Sequence, residues 1–327
     1  MLSVVIPTYN RAATLDRVLG SIERQTVSPD EVIVVDDGST DSTADVLACW
    51  ESRLPLKVVH QENRGVSAAR NTGIQAARSD IVAFIDSDDE YVPTAIETLK
   101  GLFEKKPAAI VAFSDAQLLE GARVVTASFL RRRLVTSGRD YEESAPAPRL
   151  IDPFGIVLEG AFMATFTCRK SALVSVGGYD ESLSGVEDRD ICLRLAMSVP
   201  GDWVFTWDRL ETKHYTEGSL SSRARRRCHY ECQLKVLEKF SNVPRFRTPE
   251  GKRLFEIAMK KSVNGVINWA SREGPIQLIR TLLGIPSFAR TAGAYRAAAM
   301  AVPISAARAM RDRFGAVMKN RQVRNTP

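Results

Sequence analysis

Three clusters of acidic residues are the part of this sequence best suited to chemistry. The first contains Asp86, Asp88 and Asp89, in the run Asp-Ser-Asp-Asp. Closely spaced carboxylates repel one another unless a cation neutralises them, and their hard oxygen atoms suit Mg²⁺ or Mn²⁺, which also bind phosphate oxygens. The cluster therefore favours a nucleoside diphosphate held through a metal ion. A loop whose aspartates only cap a helix would produce the same pattern.

The second cluster is the pair Asp36 and Asp37, followed by Gly38 and Ser39. The glycine permits a tight turn, and the serine can cap the next helix. Capping does not account for two adjacent carboxylates at the end of a strand otherwise made of Val and Ile. One of these carboxylates could accept a hydrogen bond from a base or a ribose.

The third cluster is Glu187 and Asp188. Asp188, Ile191 and Leu195 recur at helical spacing, which places the acidic pair at the N-terminus of a helix. The helix dipole stabilises carboxylates there, so capping is one interpretation. Beside a metal and phosphate site, however, a buried carboxylate could take a proton from an incoming hydroxyl as a general base.

The elements that must position these clusters are strands and helices in strict alternation. Strands rich in Val and Ile are predicted at 3–7, 31–37, 56–59 and 81–85. Such strands, separated by helices of ten to fifteen residues, predict a doubly wound α/β domain whose parallel sheet is covered on both faces. Ligands of such sheets bind beyond the carboxyl ends of the strands. The first two acidic clusters and the segment 7–10 are therefore expected to face one crevice.

Composition narrows the class of protein. The 327 residues are 44% apolar and 26% charged, which excludes a disordered chain and a collagen-like one. Five cysteines without a C-x-x-C pair encode neither a disulfide framework nor a zinc ribbon, so a reducing compartment is expected. We identify no secretory signal near Met1 and no apolar run of 18 residues. The predicted location is cytoplasmic.

Charge is divided unevenly along the chain. Residues 1–212 contain 22 Lys and Arg against 32 Asp and Glu, whereas residues 213–327 contain 23 against 7. A basic region of this kind typically meets phosphates on lipid head groups or on nucleic acid, although many basic helices are only solvated. Between 275 and 313, arginines alternate with apolar residues, which favours helices at an anionic membrane surface. Helices packed on the protein's own body would also fit.

Five segments together resemble the sequence blocks of the family 2 glycosyltransferases, which have the GT-A fold. In order and at approximately the family's spacing, they are residues 4–11, 34–41, 63–73, 84–89 and 187–190. The resemblance covers residues 1–220, with a nucleotide-sugar-binding half at 1–107 and an acceptor half at 108–220. It leaves 221–327 as a basic helical C-terminal region.

The resemblance implies an inverting glycosyltransferase. Its donor would be a nucleotide-sugar, usually a UDP-sugar, and its acceptor a hydroxyl in a polysaccharide, glycolipid or other glycan. A divalent metal, Mn²⁺ or Mg²⁺, would be held by Asp88 and His214, and Asp188 would be the catalytic base, with Glu187 helping to bind acceptor or donor. The donor-binding residues that it implies are Pro7, Thr8, Tyr9, Arg11, Asp36, Asp37, Arg70, Asp86 and Ser87.

Three alternatives stay open on the sequence. A nucleotidyltransferase of related fold would need a glycine-rich phosphate loop with a lysine after the first strand, and residues 7–13 contain none. A nucleic-acid-binding protein using 213–327 would show a helix-turn-helix or an aromatic signature, and the acidic half would repel its ligand, so no nucleic acid partner is expected. His214 could also be structural, and Cys228 and Cys232, one helical turn apart, are interpreted as packing residues.

Overall fold

The computed structural model describes residues 1–126, 128, 149–150, 164–183, 185–215, 226–244, 248–272 and 285. The chain divides into two compact units, Met1–Arg223 and Ala224–Pro327. The first unit contains the predicted sheet and all three acidic clusters. The second is helical where it is described.

The first third of the chain has the predicted alternation of strands and helices. Its elements are β1 (Leu2–Thr8), α1 (Ala12–Glu23), β2 (Glu31–Asp36), α2 (Thr43–Trp50), β3 (Leu56–His60), α3 (Val66–Ala76) and β4 (Ile81–Phe84). These strands lie in the order β3, β2, β1, β4, and all their pairings are parallel. Every residue of β1 and β2 is buried, as expected for strands covered by helices on both faces.

The sheet continues through the middle of the chain. Its further elements are β5 (Glu90–Tyr91), α4 (Ala95–Lys105), β6 (Ala109–Glu120), β7 (Arg123–Thr126), β8 (Arg149–Leu150), β9 (Ala164–Arg169), α5 (Lys170–Ser175), α6 (Glu187–Ser198) and β10 (Asp202–His214). Beyond β4 the order is β9, β6, β10, β5, with β9 antiparallel to both neighbours and β10 parallel to β6. Strand β10 is not among the strands predicted from the sequence, and its Trp203, Val204 and Phe205 are buried in the sheet.

Helix α3 lies unusually close to the sheet. A Cβ atom on Gly73 would stand only 2.3 Å from Cγ1 of Val5 in β1, so no larger residue fits there without movement. The close approach places Arg70, one turn earlier on α3, near the carboxyl edge of the sheet.

The second unit contains a pair of packed helices, α7 (Arg226–Phe240) and α8 (Pro249–Arg272). The ring of Tyr230 lies within 2.5 Å of where a Cβ of Gly265 would be, so the glycine permits the close packing. Cys232 is buried, in agreement with its interpretation as a packing residue, whereas the Cys228 side chain is outside the described residues. No described helix has both the length and the apolar character required to cross a bilayer. The segment 275–313, apart from residue 285, also lies outside the described residues.

Candidate active site

Three parallel strands end at the same edge of the sheet, and two of the acidic clusters follow them. Thr8 at the end of β1 lies opposite Asp36 at the end of β2. On the other side of β1, Val5 lies opposite Phe84, two residues before Asp86. The sequence prediction that these ends face one another is therefore confirmed in the backbone.

The Asp37 carboxylate is fully engaged by its own chain. One oxygen, Oδ1, accepts hydrogen bonds from Nε2 of Gln61 at 2.7 Å and from the backbone N–H of Arg64 at 2.9 Å. The other, Oδ2, accepts one from the backbone N–H of Gly65 at 2.8 Å. Gly65 directly precedes α3, so Asp37 ties the start of α3 to the end of β2.

Asp36 and the end of β1 form the neighbouring part of the edge. The carboxylate of Asp36 accepts the backbone N–H of Ser39 at 2.9 Å and lies 3.1 Å from Nδ1 of His60. Pro7 and Thr8 are buried, whereas Tyr9 is 45% exposed. Tyr9 thus presents an open aromatic surface beside Asp36.

Arg70 joins the first acidic cluster to the third. Its Nη1 donates to Oε1 of Glu187 at 2.8 Å, and its Nη2 donates to Oδ1 of Asp86 at 3.0 Å. Burial alone would lower the pKa of Arg70, but Asp86 and Glu187 raise it above its ordinary value, so the guanidinium stays charged. Conversely, partial burial would raise the pKa of Asp86, while Arg70 and Lys213 hold it below its ordinary range. Two clusters nearly one hundred residues apart in sequence therefore share one cation.

The turn formed by residues 86–89, here called the acidic turn, is held by α1 on one side. The hydroxyl of Thr14 donates to the carbonyl oxygen of Ser87 at 2.8 Å, and Nη2 of Arg17 donates to the carbonyl oxygen of Asp88 at 2.6 Å. Ser87 is buried. These contacts fix the backbone and leave the carboxylates to other partners.

Strand β10 holds the acidic turn on the other side. Asp89 accepts the backbone N–H of His214 at 2.9 Å and Nζ of Lys213 at 2.8 Å, one on each carboxylate oxygen. The ring of His214 turns toward Glu90, with Nε2 and Oε1 2.8 Å apart. Lys213 also contacts Oε1 of Glu211 at 2.7 Å.

Asp88 is the member of the turn whose carboxylate lacks a close partner. Among the residues the structure describes, its nearest cation is Nη2 of Arg11 at 3.9 Å, and its side chain is 13% exposed. Burial, together with the charges of Asp89 and Asp86, raises the pKa of Asp88 to about 6. A largely buried carboxylate with so little compensating charge is suited to receive a cation.

Asp188 has the properties of a base that works near neutral pH. Burial, followed by the charge of Glu187, raises the pKa of Asp188 to about 7. The preceding residue, Val186, has a φ of 56°, a left-handed conformation that β-branched residues avoid. Local strain therefore accompanies the start of α6, where Glu187 is turned toward Arg70.

One protein-family model matches the larger part of the first unit, Met1–Arg223. The sequence model of "Glycosyl transferase family 2" matches residues 3–143. The chain carries a family 2 glycosyltransferase domain. The predicted family membership is thereby confirmed.

Curated relatives of this glycosyltransferase domain are similar over limited lengths. The validoxylamine A glucosyltransferase of Streptomyces hygroscopicus subsp. limoneus is 54% identical over 91 residues, which cover 27% of this chain and 20% of that protein. The pre-mycofactocin glycosyltransferase of Mycobacterium tuberculosis H37Rv is 36% identical over 197 residues, covering 59% of this chain and 38% of that protein. The chain thus spans well under half the length of these relatives.

Solved structures extend the likeness along the chain. S. aureus TarS 1–349 in complex with UDP-GlcNAc has a TM-score of 0.61 at 19% identity, covering 91% of this chain and 90% of that one. The mannosyltransferase PcManGT of Pyrobaculum calidifontis, in complex with GDP-Man and Mn²⁺, has a TM-score of 0.58 at 19% identity, with coverages of 91% and 86%. At identities this low, the similarity establishes the fold alone. The predicted GT-A type α/β fold is confirmed.

Among the residues that the structure describes, Asp88 offers a divalent cation a suitable carboxylate. No group of three or more His, Cys, Asp or Glu side chains that could hold a metal occurs among the described residues. Mg²⁺ and Mn²⁺ at phosphate sites are commonly held by one or two carboxylates together with phosphate oxygens, and Asp88 fits that requirement. Nε2 of His214, by contrast, is directed at Glu90.

Two charged residues at the carboxyl edge of the sheet were not predicted from the sequence. Glu211 and Lys213 alternate on β10 and reach the acidic turn from a strand that the sequence analysis did not predict. The alternation of Trp203, Phe205 and Trp207 with smaller or polar residues is the signal that could have located this strand.

Proposed function

We propose that this chain transfers a sugar from a nucleoside diphosphate sugar, a UDP-sugar in the first instance, to an acceptor hydroxyl with inversion at the anomeric carbon. One observation carries the proposal. Arg70 bridges Asp86 and Glu187, which brings a cation suited to a diphosphate next to Asp188, a carboxylate suited to general-base catalysis.

The reaction is a single displacement. Asp188 accepts the proton of the acceptor hydroxyl as that oxygen bonds to the anomeric carbon. The bond from this carbon to the diphosphate oxygen breaks, and the electron pair leaves with the diphosphate. Arg70 stabilises the charge that develops there, in a site where it is already held by two carboxylates.

The donor is assigned to the carboxyl edge. Tyr9 and the neighbouring Pro7, Thr8 and Asp36 line the base and ribose pocket, with Asp37 behind them. Asp86, whose side chain is 45% exposed, faces the ribose or the donor sugar, with Ser87 and Arg11 nearby. The UDP-GlcNAc and GDP-Man complexes of the structural neighbours support a nucleotide-sugar at such an edge.

A divalent metal, Mn²⁺ or Mg²⁺, is assigned to Asp88. It would supply positive charge to the departing diphosphate. The carboxylate of Asp88, whose nearest described cation is Arg11 at 3.9 Å, and the Mn²⁺ in the PcManGT complex support this assignment. The role of His214 is to hold the acidic turn through Glu90 and Asp89 beside the metal site.

A donor screen tests the proposal. Purified full-length chain with MnCl₂ is incubated with UDP-, GDP- and dTDP-sugars, and release of the nucleoside diphosphate and the melting temperature are recorded. We expect at least one nucleotide-sugar to be hydrolysed or to raise the melting temperature. A chain that neither binds nor cleaves any of them is not a glycosyltransferase of this kind.

The domain boundaries and the cellular setting are also proposals. We assign 1–220 to the glycosyltransferase domain, with 1–107 binding the donor and 108–220 the acceptor, and 221–327 to a basic region that meets the anionic inner face of the plasma membrane during envelope polysaccharide or glycolipid synthesis. On α8, Lys252, Arg253, Lys260 and Lys261 are exposed, as is Ile257, a mixture suited to anionic head groups.

Sedimentation with liposomes tests the membrane contact. Full-length protein should sediment with anionic vesicles at low salt, should be released as the salt concentration rises, and should ignore neutral vesicles. A chain ending at Phe240, which keeps the whole first unit, is the control. Equal sedimentation of both chains would contradict the assignment of the contact to the C-terminal region.

A further inference from the structure

Lys213 is a half-buried cation placed among three carboxylates. Its Nζ lies 2.7 Å from Oε1 of Glu211, 2.8 Å from Oδ2 of Asp89 and 3.8 Å from Oδ2 of Asp86. The side chain is 23% exposed. None of the sequence blocks that resemble the family includes this residue.

The two oxygens of Asp86 are divided between two cations. Arg70 on α3 holds Oδ1, and Lys213 on β10 lies on the side of Oδ2. Asp89 is held in the same way by Lys213 and the backbone of β10. Of the carboxylates in the acidic turn, Asp88 is therefore the one left for an external cation.

Glu211 holds the ammonium group of Lys213 in place. The second oxygen of Glu211, Oε2, accepts the backbone N–H of Thr165 at 2.6 Å. Thr165 is buried and has a φ of 50°, so its N–H is held in a conformation that threonine rarely adopts. Lys213 is thus anchored to β9 and cannot follow Asp86 or Asp89 freely.

We propose that Lys213 is a positioning residue for the metal and diphosphate part of the donor site, an inference that rests on the proposed function. Its ammonium cancels the repulsion among Asp86, Asp89 and Glu211 and so keeps the acidic turn in the shape that presents Asp88. Without it, the three carboxylates separate and Asp88 moves with the turn.

A matched control lies at the opposite edge of the sheet. Lys100 is 22% exposed and pairs with Asp30 at 3.0 Å, just before β2 begins. Lys100→Met therefore removes a lysine of nearly equal exposure that pairs with a single carboxylate, Asp30, at the amino rather than the carboxyl edge. Methionine retains most of the volume of lysine in both variants.

The experiment separates metal-supported from metal-free nucleotide binding. UDP and GDP are titrated calorimetrically into full-length wild-type, Lys213→Met and Lys100→Met protein, each in MnCl₂ and again in EDTA. We expect Lys213→Met to weaken binding in MnCl₂ by about 10- to 100-fold, the usual cost of losing a group that orients a metal ligand, and to leave binding in EDTA unchanged. Lys100→Met should match the wild type in both.

The possible failures are distinct. Wild-type protein that binds neither nucleotide overturns the proposed function and this inference with it. Unchanged binding of Lys213→Met in MnCl₂, equal weakening in MnCl₂ and EDTA, or tighter metal binding overturns the inference alone. If Lys213→Met does not fold, the double variant Lys213→Met with Glu211→Gln, which removes one charge of each sign and keeps an acceptor for Thr165, must show the same selective loss.

Discussion

The turns after β2 and β4 are alike in sequence, but Asp37 in the first and Asp88 in the second differ in how their carboxylates are partnered. Both follow parallel strands at the same edge and both contain adjacent or alternating aspartates. Asp37 accepts three hydrogen bonds from its own chain, whereas the carboxylate of Asp88 accepts none from the described residues. Position at a strand end therefore does not distinguish an acid that supports the fold from one available to a ligand.

The two carboxylates, Asp37 and Asp88, differ in how they affect the stability of the protein without a ligand. A carboxylate with three N–H donors stabilises the turn it closes. A largely buried carboxylate without hydrogen-bond donors is unfavourable, and burial together with the charges of Asp89 and Asp86 raises the pKa of Asp88. Such a group is easiest to explain where a ligand supplies the missing charge. Asp188 differs from Asp88, because it accepts the backbone N–H of Arg189 at 2.7 Å while burial and the charge of Glu187 raise its pKa to about 7.

The largest expected effect is that of Asp188→Asn. The amide keeps the size of the side chain and much of its hydrogen bonding but cannot accept the proton, so kcat should fall by about 10²- to 10⁴-fold. Steady-state rates and calorimetric donor affinity are to be measured together. Because the raised pKa belongs to a base that must be ionised, the wild-type rate should rise with pH through about 7. A variant that loses donor affinity but keeps kcat would place Asp188 in binding instead.

Asp88→Asn should have the next largest effect. Its loss removes the only carboxylate assigned to the metal, so the Mn²⁺ concentration needed for half-maximal rate should rise by at least about 10- to 100-fold. Titration of MnCl₂ at saturating donor measures this. The matching change Asp37→Asn, in the satisfied turn, should leave the Mn²⁺ requirement unaltered, and equal shifts in the two variants would remove the distinction between the turns.

A smaller effect is expected from pH. Protons compete with the metal for Asp88, so apparent Mn²⁺ affinity should fall below pH 6, by about tenfold per pH unit once the carboxyl is mostly protonated. The Mn²⁺-induced rise in melting temperature in the presence of UDP, followed from pH 5 to 8, reports it. The pH dependence should disappear in Asp88→Asn, and its persistence there would assign it to another group.

Sequence patterns predicted the regular part of this molecule better than its contacts. The runs of Val and Ile fixed β1, β2 and β4 because fully buried parallel strands have few other solutions. The pattern could not say which aspartate would find donors, since Gln61, Arg64 and Gly65 meet Asp37 only after β3 and α3 have folded. Lys213 was missed for the same reason, because two of its partners, Asp86 and Asp89, lie over 100 residues earlier in the acidic turn.

The smallest effect concerns stability and tests the comparison most directly. Asp37→Ala leaves the backbone N–H groups of Arg64 and Gly65, at the start of α3, without their acceptor. This should lower the free energy of unfolding by about 1–3 kcal/mol. For a domain of this size, each kcal/mol corresponds to a melting temperature lower by about 2–4 °C. Asp88→Ala instead removes a charge that the metal-free fold does not satisfy, so its melting temperature in EDTA should equal or exceed that of the wild type. If both alanine variants melt equally early in EDTA, the Asp88 carboxylate has partners in the free protein, and its availability to a metal would have to be explained by exposure rather than by unmet charge.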